Sequence, residues 1–182
     1  SMEKDNYLNM IEGMVFGDSE QSGIRRGSEF FHGPLNLYMS SPSSWEIINT
    51  PNSLVFSSSS GEAQLQMTLE DLNFKESPRD YLMRFATDID EGMKLNINGL
   101  EGYTGKSLRS GRMTRMAVLF KDDQVYQFIG VVKDRNSNFS NFDNEFLKII
   151  NSLRKLKANE EDFSKPLRLT SYTVKQLDTY ES

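Results

Sequence analysis

One imidazole, no thiol and a scatter of carboxylates are what the chain offers for side-chain chemistry. His32 is the only histidine in 182 residues, and cysteine is absent. Disulfides, thiolate metal sites and cysteine nucleophiles are thereby excluded. A zinc peptidase site needs two imidazoles on one helical face and a glutamate base, written H-E-x-x-H, which one histidine cannot supply. A serine triad would need His32 as its base and a serine on a strained turn. No G-x-S-x-G occurs, and Ser58 to Gly61 is a flexible serine tract. Gly105-Lys106-Ser107 ends like a phosphate loop, but Leu100 stands where the first glycine belongs and a strand pattern follows. The carboxylates of Asp88, Asp90 and Glu91, and of Asp122 and Asp123, lack the alternating oxygens, central glycine and closing glutamate of a calcium loop. They read as solvated charge. No catalytic, cofactor-binding or metal-ligating residue is therefore expected in the chain itself. His32 reads as a capping or packing histidine where a strand begins.

The charge balance narrows the partners. Lys and Arg number 21 against 26 Asp and Glu, for a net charge of −5, so the basic footprint of a nucleic-acid binder is missing. No apolar run approaches the ~20 residues that span a bilayer, and no signal peptide is visible. Ser1-Met2 reads as a tag residue before a start codon, and the chain as a piece of a longer protein.

The elements that must position these residues follow from periodicity. Residues 1–27 read as an arm or linker, with Leu8, Ile11 and Val15 at helical spacing before Gly17. Strand signals start at Phe30. Leu35, Leu37 and Met39 alternate, Ser41-Pro42-Ser43-Ser44 turns the chain, and Trp45, Ile47 and Ile48 open the next extended piece. A further strand covers Ser53 to Ser57. Leu65, Met67 and Leu69 alternate with Gln64, Gln66 and Thr68 in the clearest strand of all.

Ser77-Pro78-Arg79-Asp80 starts a helix, and Leu82, Phe85, Ala86, Ile89 and Met93 form its expected stripe. Gly99-Leu100-Glu101-Gly102 reads as a turn, and residues 103–109, 112–121 and 124–133 as an antiparallel meander. Both faces of the last strand carry bulk, which predicts a central position. A second helix is expected behind a Ser140 cap, with Phe142, Phe146, Ile149, Ile150 and Leu153 as its stripe. Residues 158–165 read as an acidic polar linker. The expected fold is α+β: over residues 28–156, an antiparallel sheet with one face covered by two amphipathic helices, with an N-terminal arm and with residues 157–182 as linker and tail. Phe30, Phe31, Trp45, Tyr126 and Phe128 are expected to pack in the core or line a ligand groove.

The first half carries a resemblance. Glu12-Gly13, Phe16-Gly17-Asp18, Gly23, Arg26-Gly27, Phe31-His32, Pro42, Trp45, Asn49 and Pro51 follow one another as in a segment downstream of the protease domain in HtpX-like bacterial zinc metallopeptidases. Ser77-Pro78-Arg79, the VYQFIG strand, INSLRKL and KPLRLTSYTVKQLDT are similar to that family's later segments. The strand–helix–meander–helix order is also similar to PsbP-like (Mog-type) domains, which are mostly noncatalytic binding or assembly modules. The resemblance implies a noncatalytic C-terminal domain of a zinc-dependent metalloendopeptidase, located in the bacterial periplasm or on the envelope. Zinc would belong to the parent's protease domain and not to this chain. The implied partners are that N-terminal protease domain and other envelope proteins, with the domain packing on the protease or positioning substrate. The candidate interaction residues are Val15, Phe16, Gly17, Asp18, Arg26, His32, Trp45 and Tyr126. The glycine-rich stretch 12–27 would be the inter-domain connection. A free-standing PsbP-like module holding a ligand or protein against Trp45 and Tyr126 is the alternative.

Overall fold

The structure is a computed structural model and describes residues 19–134 and 138–166; the arm and tail residues outside these limits, Val15, Phe16, Gly17 and Asp18 among them, are not described. Three short strands, β1 (Ile24–Arg26), β2 (Glu29–His32) and β3 (Leu37–Ser40), form a small antiparallel sheet in the order β1-β2-β3. Seven further strands form the main sheet. They are β4 (Glu46–Asn49), β5 (Leu54–Ser57), β6 (Ala63–Asp71), β7 (Asp90–Ile97), β8 (Leu100–Arg109), β9 (Arg112–Lys121) and β10 (Gln124–Val132). Their order is β4-β5-β6-β10-β9-β8-β7, and every pairing is antiparallel. β10 lies between β6 and β9, as bulk on both its faces predicts.

The second half of the sheet is dictated by its turns. Asn98 and Gly99 (φ 53° and 83°), Ser110 and Gly111 (51° and 76°), and Asp122 and Asp123 (51° and 62°) each join neighbouring strands through two residues of positive φ. Such turns carry the twist of a tight hairpin and fix the register of what they join.

Helix α1 (Pro78–Phe85) links β6 to β7. Its N-cap Ser77 accepts the Asp80 amide hydrogen at 3.1 Å, and Pro78 fills the first turn. It ends earlier than the apolar stripe predicts, because Ala86 is extended and residues 90–97 become β7. Met93, Leu95 and Ile97 alternate as well as they fit a helix, and the Asn98-Gly99 turn pairs them with β8. The turn expected at 99–102 accordingly lies one residue earlier, at Asn98-Gly99. Helix α2 (Phe139–Asn151) follows β10; its cap is Asn138, whose side chain accepts the Ser140 amide hydrogen at 3.0 Å, and not Ser140 itself.

The two helices cover opposite faces of the main sheet, where the sequence suggests one shared face. Ala117, Leu119, Tyr126 and Phe128 point toward α2 and meet Phe146, Ile149 and Ile150 there. Met116, Val118 and Val125 point the other way, to Tyr81 and Leu82 of α1. The remaining area on the α2 side is filled by Phe30, Leu37 and Met39 of the small sheet. Two cores therefore share one set of strands, separated by the period-two alternation of β9 and β10.

After α2 the chain doubles back along β3. Tyr38 and Arg154 exchange backbone hydrogen bonds at 2.8 and 3.1 Å. Residues 158–164, expected as a linker, wind into a 3-10 helix over the outer face of the small sheet. There Phe163 meets Phe31 at 5.5 Å between ring centroids. Acidic composition alone does not reveal the partners that the small sheet provides for this segment.

Candidate functional site

His32 ends β2, where the chain turns through Gly33 to Asn36. The turn is closed by the Asn36 amide donating to the Gly33 carbonyl at 2.9 Å. His32 Nδ1 accepts the Leu35 amide hydrogen at 3.1 Å. Burial holds His32 below its ordinary value of 6.5, the Gln21 backbone opposes that shift, and the Lys121 charge adds a smaller push downward. The ring is therefore neutral at pH 7 with its proton on Nε2. Its one acceptor nitrogen is occupied, so it has no lone pair with which to activate a nucleophile in this arrangement.

The same loop is held from the other side. The Lys121 ammonium, with a fully buried side chain, donates to the Leu35 carbonyl at 2.6 Å and to the Asp122 carboxylate at 2.7 Å. The ammonium holds the Asp122 carboxyl below the usual carboxylate range. Leu35 is thus fixed through both its backbone groups.

Beside this loop opens a cleft of about 410 Å³. Its floor is apolar: Phe30, Leu37, Leu54 and Met67. Its rim is polar and neutral, contributed by Ser22, His32, Asn49, Thr50 and Ser53, and among the described residues no acid, lysine or arginine lines it. The 50–53 turn is rigid, with Thr50 Oγ1 donating to the Ser53 carbonyl at 2.8 Å and accepting its amide hydrogen at 2.8 Å. Asn49 reaches across to the Ser22 carbonyl at 2.6 Å. Gly23 is required here, because a Cβ on it would fall 2.3 Å from Phe30 Cζ and 3.0 Å from His32 Cδ2.

The other anticipated residues sit elsewhere. Arg26 fastens the 3-10 helix: its Nε donates to the Phe163 carbonyl at 3.0 Å and its Nη2 to the Lys165 carbonyl at 2.9 Å. Trp45 packs in the core edge-on to Phe146, and Tyr126 is wholly buried, so neither faces a groove. Of the described candidate interaction residues, His32 alone lines the cleft, and of the aromatics expected in the core or along a groove, Phe30 does so too. Sequence reasoning did not single out Lys121 or the 49–53 turn as site elements. Asn49 and Pro51 carried a signal, as positions in the family resemblance.

Among the described residues, no three His, Asp or Glu side chains gather into a group able to hold a metal ion. No described helix is long and apolar enough to cross a membrane.

No family model matches the chain, and no curated protein matches it either. Solved structures do. The cyanobacterial PsbP protein CyanoP from Synechocystis sp. PCC 6803 superposes with a TM-score of 0.55 at 12% identity, over 78% of this chain and 99% of that one. A Bacteroides thetaiotaomicron VPI-5482 protein superposes with a TM-score of 0.52 at 14% identity; the match covers 75% of this chain and 51% of that one, about half its length. Identities this low carry the architecture and leave the activity open. The chain has a PsbP-like α+β fold, built mostly of antiparallel strands.

Proposed function

We propose that the chain is a noncatalytic binding module whose cleft beside His32 receives an apolar side chain of a protein segment. The carrying observation is the cleft itself: an apolar floor, a convergent neutral rim and a loop fixed at both backbone groups of Leu35. An uncharged rim suits main-chain amides, whose donors and acceptors need partners and carry no net charge. The positions of the HtpX-like resemblance support the same place. His32, Asn49 and Pro51 all line the cleft, and Gly23 packs beneath it. On that resemblance the bound segment belongs to the protease domain of a parent zinc metalloendopeptidase of the bacterial envelope. An H-E-x-x-H helix encoded upstream of Glu3 in the same frame is the expected companion.

The test is a titration of the isotope-labelled chain with a panel of neutral, apolar-rich peptides. Amide shifts are expected at His32, Leu35, Asn49 and Ser53. Ser53→Trp, which fills the rim, is expected to remove them without changing the thermal midpoint. Shifts confined to other surfaces, or binding that survives Ser53→Trp, would refute the cleft as the site.

A further inference from the structure

On the opposite face of the main sheet, α1 and the end of β6 enclose a groove of about 360 Å³. Phe74 and Phe85 stand on it with 67% and 54% of their surfaces exposed, rare values for side chains of this size in a folded domain. Arg84 lies between them. Its guanidinium carbon is 4.9 Å from the Tyr81 ring centroid, 5.5 Å from that of Phe85 and 5.8 Å from that of Phe74. Glu76 grips the same guanidinium through two hydrogen bonds. The chain's own arginine thus shows what this set of rings accepts: a planar cation on aromatic faces, neutralised by a carboxylate.

That arginine is already paired with Glu76, and charge remains on the groove. Glu70 and Asp71 form its other wall, both exposed and neither ion-paired among the described residues. Phe74 and Phe85 each keep more than half of their surface open. Exposed rings beside unpaired carboxylates match a cation on an apolar stem. An anionic partner would meet Glu70 and Asp71, and a purely apolar one would leave both carboxylates desolvated without a partner.

We propose that this groove docks an arginine-bearing segment of a partner protein, with the guanidinium stacked on Phe74 and Phe85 and paired with Glu70 and Asp71. The surface is independent of the His32 cleft and lies on the other face of the sheet. Aromatic residues and arginine are also the side chains that dominate binding energy at protein interfaces.

The experiment is an amide-shift titration of the whole chain with two probes, acetyl-Leu-Arg-Ala-Arg-Leu-amide and its glutamate counterpart. The expected result is shifts confined to residues 70–85 and Gln127 with the arginine peptide, and none with the glutamate peptide. The double variant Phe74→Ala/Phe85→Ala removes two exposed rings and is expected to weaken binding about tenfold while the thermal midpoint stays constant. Glu70→Gln/Asp71→Asn is expected to weaken it and to flatten its salt dependence. Ser53→Trp in the cleft is expected to leave it unchanged. Shifts spread over the whole acidic surface, or equal affinity in the double alanine variant, would overturn the proposal.

Discussion

Tyr126 is enclosed on every side, and its hydroxyl meets no hydrogen-bond partner among the described residues. Burial, with a smaller contribution from Asp122, pushes the phenol up to about 12. A buried hydroxyl without a partner costs ~1–3 kcal/mol, so removing it is favourable where the ring itself stays. Tyr126→Phe is expected to leave stability unchanged or raise it by up to ~1 kcal/mol. Urea unfolding checks this, and a clear loss would show that the hydroxyl is bonded. His32 makes the opposite case, a polar atom placed with a purpose. Its value is depressed below 6.5 in the folded chain, so its share of stability is complete above pH 6.5 and declines as the pH falls and the ring takes up a second proton. The amide of Leu35, which needs the unprotonated Nδ1, is expected to lose exchange protection over that acidic range while the amides of β10 keep theirs.

At the level of elements, the 3-10 helix over the small sheet is secured by Glu160. Its carboxylate accepts from both terminal nitrogens of Arg154, at 2.7 and 3.0 Å, and from the Lys157 amide at 2.7 Å. Arg154 in turn stacks on Tyr38 at 3.7 Å. The Arg154 hydrogen bond, chiefly, holds Glu160 at about 2 against an ordinary 4.5. A depressed carboxyl stabilises fully above pH 4.5 and loses that contribution as the pH falls toward 2. Glu160→Gln is expected to cost about 1–2 kcal/mol at pH 7, after allowance for solvent screening, and almost nothing near pH 2.

The sequence made legible those elements whose periodicity was local: β6, the hairpins of β8 to β10, the start of α1 and the stripe of α2. It misread β7, because Ile89 and Met93 satisfy a helical spacing as well as Met93, Leu95 and Ile97 satisfy a strand. It could not reveal the 3-10 helix or the cleft. Both depend on residues far apart in the chain, Arg26 with Lys165 and Lys121 with Leu35, whose meeting is a property of the fold.

For the molecule as a whole, one ion pair joins α2 to the middle of the sheet. Arg115 on β9 donates to both oxygens of Asp143, at 2.7 and 2.5 Å, and also reaches Thr104 on β8. Both residues are buried, at 5% and 7% exposure, so neither charge has water to fall back on. Asp143→Ala is expected to destabilise the chain by ~3–5 kcal/mol by stranding the guanidinium. Arg115→Met with Asp143→Leu is expected to recover most of that loss, as measured by denaturant midpoints. At the far corner, Arg26 of the first strand holds the carbonyls of Phe163 and Lys165. Residues 139 positions apart in the chain are thereby clasped together, so the 3-10 helix lifts off the small sheet only when the Arg26 side chain lets go of both carbonyls.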